Sequence, residues 1–144
     1  MDLLERARTL DACRLFEDLA PAIVIRLAER ARESELAKGE RRTTEDTVWV
    51  VASGTLAVVV RAETGTAATA SIVRKRGAPA TAGNALGVIR VVRAGTPVVE
   101  LIAEEPSVVV GLAIDDVQDV LEEDPAALTA LADRLAALLL GDVP

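Results

Sequence analysis

"GNALGVIRVVRAGTPVVELIA", residues 83–103, sets glycines at 83 and 87, then β-branched residues with two arginines among them and a Thr-Pro before the run resumes. Glycine lets a loop turn sharply and lets backbone approach a ligand closely. Valine and isoleucine favour the pleated, half-buried surface of a strand. The stretch therefore reads as a small ligand-cradling loop, with strands over Gly87–Val92 and Val98–Ala103.

Upstream, Val48–Ala52 is an apolar β-branched run closed by Ser53-Gly54, a turn signal. Leu56–Val60 is the next strand, followed by the loop "RAETGTAATA" (61–70) and a short strand at Ser71–Val73. Downstream, Ser107–Leu112 is the last. Short strands separated by Gly, Pro and Thr turns predict a barrel or double-sheet roll rather than βαβ units.

Both ends read as helix. Leu3, Leu4, Ala7 and Leu10 have helical spacing behind a capping Asp2. A second helix starts near Pro21, a residue suited to a first turn. Its apolar stripe is Ile23, Leu27 and Ala31 beside Val24 and Ala28, with Arg26, Glu29, Arg30 and Glu33 facing water. Gly39 ends the helical region or turns the chain into the first strand. Past the strands, Val117, Val120 and Leu121 mark a short acidic helix. Asp124-Pro125 then starts another. There Leu128, Leu131, Ala132, Leu135, Leu138 and Leu139 repeat as one buried face, and Gly141 stops it.

The fold expected is mainly β with flanking α: a jelly-roll-like β-roll between N-terminal and C-terminal helices. One domain spans 1–144, with helices over about 1–35, the roll over about 38–113 and the last helices over about 114–140.

Composition excludes several chemistries. The chain has no histidine and one cysteine, Cys13, so an internal disulfide, a Cys/His zinc site and His-based nucleophilic triads are all ruled out. Cys13 sits in an apolar stretch beside Leu10 and Leu15 and reads as a small buried hydrophobe. Apolar runs stay far below the ~20 residues of a membrane span. With no signal-like opening, the expected location is the cytoplasm. Residues 41–99 carry net charge +5, whereas 100–144 carry one basic and eleven acidic groups, net −10. An acidic chain is a poor nucleic-acid partner, and the "GDVP" after Leu140 holds no helix-turn-helix. No nucleic-acid contact by this chain alone, no membrane contact and no cofactor are expected. Whether the chain is one module of a longer one stays open.

The order of these pieces resembles the cyclic nucleotide-binding domain family, the sensor module of catabolite-activator-type regulators, protein kinase A regulatory subunits and gated channels. "LFEDLAPAIVIRLAERA" looks like its entry helix and "KGE" like the start of its first strand. "VWVVASGTLAVVV" looks like its strand–SG–strand hairpin, and "LAIDDVQDVLEEDPAALTALADRLAALL" like its exit strand and closing helices. "GNALGV" matches the entry of the phosphate-binding cassette, usually Gly-Asp-x-Phe-Gly-Glu. The resemblance implies a cassette of glycine turn, short helix and extended strand. In that cassette backbone amides hold a cyclic phosphate, a Glu holds the ribose and an Arg pairs with the phosphate.

Carried across, Gly83 and Gly87 survive, Asn84 takes the Asp position, Leu86 the aromatic and Val88 the Glu. If Ala103 closes the Arg-containing strand, Pro97 stands at the Arg. Valine cannot accept a ribose hydroxyl, and proline offers neither charge nor N–H. The turn that often reads Glu-Gly-Asp is shortened to Thr44-Glu45-Asp46.

The expected function is therefore a non-enzymatic regulatory or protein-interaction module that has lost cyclic AMP and cyclic GMP, with a protein partner or self-association through the C-terminal helices. The alternative is a sensor of altered specificity for a cyclic nucleotide or another small anion, with Arg90 or Arg93 replacing the lost arginine and Thr96 donating a hydroxyl. An enzyme, such as a metal-free isomerase on a cupin-like roll, would need a carboxylate pair that the sequence does not single out.

Overall fold

The structure is a computed structural model that describes residues 1–64, 71–92 and 97–139, with the backbone alone over 61–64, 71–76 and at 139. Helices α1 (Leu3–Asp11) and α2 (Pro21–Arg30), with a single 3-10 turn at Arg14–Phe16 between them, precede eight strands. These are β1 (Arg32–Leu36), β2 (Arg41–Thr43), β3 (Thr47–Ser53), β4 (Leu56–Thr64), β5 (Ser71–Arg76), β6 (Ala85–Leu86), β7 (Val98–Ala103) and β8 (Ser107–Ala113). A short helix α3 (Ile89–Val92) separates β6 from β7, and α4 (Ile114–Glu122) and α5 (Pro125–Leu139) follow β8. The strands form two antiparallel four-stranded sheets, ordered β1-β8-β3-β6 and β2-β7-β4-β5. The expected β-roll with helices at both ends is the architecture found.

The alternation along β3 explains the layering. Val48 and Val50 join Val110 and Leu112 of β8 in one core with Leu27, Ala28 and Leu121 of the helices. Trp49 and Val51 turn the opposite way, into a second core with Leu56, Val58, Leu101 and Ala103 of the other sheet. Period-two alternation thus puts the first sheet between the helices and the second sheet. The β3–β4 hairpin carries the chain from one sheet to the other through Gly54, whose φ is +94°.

The helix ends follow their sequence signals. Asp2 caps α1 by accepting the Glu5 N–H at 2.8 Å. The Asp124 carboxylate accepts the N–H groups of Ala126 and Ala127 at 3.1 and 3.3 Å, as an Asp-Pro start requires. Arg6 Nε donates to the Ala28 carbonyl at 2.9 Å and ties α1 to the end of α2. No described helix is long and apolar enough to cross a membrane.

Four expectations need correction. The helical region stops at Arg30, and Arg32–Leu36 is a strand paired with β8, so the roll begins at 32 rather than 38 and "KGE" is the turn after it. Glu33 does not simply face water, because its carboxylate takes the Met1 amine. Gly87–Val92 is not a strand: only Ala85–Leu86 pairs with β3, and Ile89–Val92 is helical. Strand β4 runs on to Thr64, so 61–64 are strand rather than loop, and the rest of the expected loop, 65–70, lies outside the described residues.

The apolar stripes also bury less than their spacing suggests. Leu3 and Leu4 are exposed, and α1 buries only Leu10 fully. In α5 Leu131 is 1% exposed, Leu135 and Leu138 are half-buried and Leu128 lies on the surface. Helix α5 packs chiefly against α4 and the Arg14–Phe16 turn. There Arg134 Nε donates to the Arg14 carbonyl at 3.2 Å and its guanidinium meets Glu17.

Cys13 is buried, as expected, and burial pushes its thiol pKa above the ordinary value. Folding therefore opposes the thiolate, so any stability linked to this group is complete below the ordinary thiol pKa of about 8.5 and declines as pH rises past it. A thiol-specific reagent at pH 8 is expected to label the native chain far more slowly than the urea-unfolded chain. Equal rates would mean that the Arg14–Phe16 turn does not cover the sulfur.

Candidate functional site: the cassette and the cavity at its entry

The segment expected to be the cassette begins where β6 is clipped to β3. Gly83 N–H donates to the Val51 carbonyl at 3.0 Å, and Val51 N–H returns a bond to the Asn84 carbonyl at 2.9 Å. The Asn84 side-chain oxygen accepts the Thr81 N–H at 2.9 Å, which closes the turn before the strand.

Gly87 has φ +91°, and a Cβ there would lie 2.8 Å from the Cβ of Thr44. Thr44 is fully buried. Its Oγ1 accepts the Val99 N–H at 2.9 Å, and its own N–H donates to the Val99 carbonyl at 3.0 Å. One threonine of the shortened turn thus supports both the cassette glycine and the strand that leaves the cassette.

Two bonds fix α3. The Arg90 guanidinium donates to the Glu45 carbonyl at 3.0 Å, and Gln118 Nε2 of α4 donates to the Val91 carbonyl at 3.1 Å. Val88 and Val91, three residues apart, both face the core shared with the helices, at 3% and 7% exposure. That spacing puts two side chains on one face of a helical turn and on opposite faces of a strand. Packing of this pair thus explains why a β-branched run became helical.

Of the candidate site residues, Gly83, Gly87, Val88 and Arg90 come together in this turn. Pro97 lies on the surface at the start of β7, while Arg93 and Thr96 lie outside the described residues. Val88 offers an apolar side chain to the core, where a ribose contact would need an acceptor. Arg90 already donates to backbone of its own chain.

The concave feature next to this turn is a cavity of about 360 Å³ at the cassette entry. Its walls are the Cys13–Leu15 turn, Val58 of β4, Ala78–Ala80, the entry segment Gly83–Leu86, and Leu138 of α5. Among the described residues Arg14 is the one charged residue in its walls and Asn84 the one amide.

No family model matches the chain, and no curated protein matches it. Solved structures do. The sensor domain of the transcriptional regulator DNR from Pseudomonas aeruginosa is similar over 95% of this chain and 90% of that one, at TM-score 0.70 and 19% identity. The chain has the cyclic nucleotide-binding fold. The Thermus thermophilus catabolite activator protein is similar over 88% of this chain and 56% of its own length, at TM-score 0.63 and 21% identity. The regulatory subunit of a cAMP-independent protein kinase A from Trypanosoma brucei shares 84% of this chain and 47% of its own, at TM-score 0.59 and 17% identity.

Sequence reasoning singled out Gly83, Gly87, Val88 and Arg90, which lie together in one turn, but missed Thr44, Gln118 and Arg14. Thr44 stood in a turn noted only for being short. Gln118 and Arg14 reach the cassette and its cavity from helical segments with no local signature.

Proposed function

We propose that this chain is a non-enzymatic regulatory or protein-interaction module of the cyclic nucleotide-binding fold that does not bind cyclic AMP or cyclic GMP. The observation that carries this reading is the fate of the two specific positions. Val88 is packed into the core, and Pro97 sits on the surface with no charge and no N–H to offer. A charge-assisted hydrogen bond is worth about 1.5–3 kcal/mol, and the ribose contact is lost with it. The similar regulatory subunit of a cAMP-independent kinase supports the idea that this fold can serve regulation without cyclic AMP. The chain carries no histidine, and acids in α4 and at its C-cap face arginines of α2 (Arg30–Asp116 and Arg26–Glu123), which supports a non-catalytic role for them. The exposed Leu128 of α5 and Val92 of α3 give the C-terminal side apolar surface for a protein partner or a second copy.

Calorimetry with cyclic AMP, cyclic GMP and cyclic dinucleotides tests the reading. Cyclic AMP and cyclic GMP are expected to bind no tighter than about 1 mM, since each ~1.4 kcal/mol lost is tenfold in affinity. Micromolar binding of either would overturn it.

A further inference from the structure

We infer that the cavity at the cassette entry is a binding site for a small amphipathic carboxylate: an apolar body with a single anionic end. The inference rests on the proposed function only in that a cyclic nucleotide does not occupy this site.

The cavity is kept open by small side chains at fixed backbone. Ala80 is held to β4 by two backbone bonds with Leu56, at 3.0 and 2.9 Å, and Ala85 belongs to β6, paired with β3. Ala78, Ala80 and Ala85 take positions where larger apolar residues would fill the space, while Val58, Leu86 and Leu138 supply apolar walls. The volume of about 360 Å³ lies in the range of small-molecule sites, which combine apolar walls with a few placed polar groups.

Charge selects the class of occupant. Among the described residues no carboxylate lines the cavity and Arg14 is the one charged residue that does; it is exposed, with no hydrogen bond or ion pair to its side chain. Nearby Arg134, by contrast, is already engaged with Glu17. A planar guanidinium matches a carboxylate with two parallel N–H···O bonds. Asn84 adds orientation: its oxygen is committed to the Thr81 N–H, so its NH2 group is left to donate. One cation and one amide suit a monoanion, and the remaining wall suits a hydrocarbon or aromatic body. The occupant would touch Leu138 and so reach the last turns of α5 directly.

The test is calorimetry on the 144-residue chain with three probes: octanoate, its uncharged counterpart octanamide, and cyclic AMP. Octanoate is expected to bind saturably below about 1 mM. Arg14→Gln should weaken octanoate at least about tenfold and leave octanamide unchanged, the signature of one charge-assisted pair. Ala78→Leu, at an exposed wall position that tolerates a larger side chain, should abolish octanoate binding while circular dichroism stays native. Failure of octanoate to saturate, or equal affinity in the wild type and Arg14→Gln, overturns the inference. Silence of both octanoate and cyclic AMP would remove this inference and leave the proposed function standing. Micromolar cyclic AMP binding would instead remove the proposed function.

Discussion

Replacing Leu131 with alanine is expected to cost the domain about 2–5 kcal/mol of stability, measured by urea unfolding. Leu131 is the one leucine of the α5 stripe whose side chain is shown fully buried, at 1% exposure, in the core that joins the helices to the first sheet. Deleting its branched end leaves a cavity in a core shared with other secondary elements, Leu121 and Val120 of α4 among its members, which cannot all collapse inward. Small domains have only about 5–15 kcal/mol in total, so the midpoint should move plainly. Leu128→Ala is the internal control. At 39% exposure it should change stability by less than about 1 kcal/mol. If the two variants cost the same, α5 does not dock on the domain as described.

That contrast also shows how far periodicity carries. The spacing Leu128, Leu131, Leu135, Leu138 is helical, and α5 is a helix. Spacing alone does not say how much of the stripe finds a neighbour, and here the main neighbours are α4 and the Arg14–Phe16 turn. The caps were legible because they are local: Asp2 and Asp124 act within three residues of themselves. That Val48–Ala52 is a strand was legible, but which residues face which core and the bulge between Val51 and Ser53 were not.

Strand β1 was missed for a physical reason. "RESEL" contributes a single fully buried residue, Leu36, and its strand character comes from pairing with β8, from Arg32 opposite Gly111 to Leu36 opposite Ser107. Tertiary pairing of this kind overrides local preference. The turn at Gly83–Leu86 and Gly87 could be read from the glycines and their neighbours, since they are contiguous. The cavity could not, because its walls come from five separate segments between Cys13 and Leu138. Arg14 gains meaning only when Asn84 and Leu138 are brought beside it.

Gly54→Ala is expected to destabilise the domain by roughly 2–5 kcal/mol, the sum of two separable costs. The first is conformational. Gly54 turns the hairpin from one sheet to the other at φ +94°, where a Cβ costs about 1–2 kcal/mol. The second is steric. A Cβ on Gly54 would lie 2.1 Å from the Oγ of Ser107, 2.6 Å from its Cβ and 2.7 Å from its Cα. The hydroxyl could rotate away, at the loss of its 2.9 Å bond to the Glu105 carbonyl. The backbone cannot, because Ser107 is 3% exposed and held in register opposite Leu36. Backbone overlap of that size forces strands apart and costs about 1–3 kcal/mol. Gly39 separates the two contributions. Its φ is +89°, but a Cβ there meets nothing within 4 Å, so Gly39→Ala should show the conformational cost alone. Urea unfolding of both variants reads the difference directly. Adding Ser107→Gly to Gly54→Ala should recover part of the loss, since it removes the two side-chain overlaps and leaves only the crowding against the backbone of residue 107. Equal losses for Gly39→Ala and Gly54→Ala, with no coupling to Ser107, would show that the hairpin does not cross this close to β8.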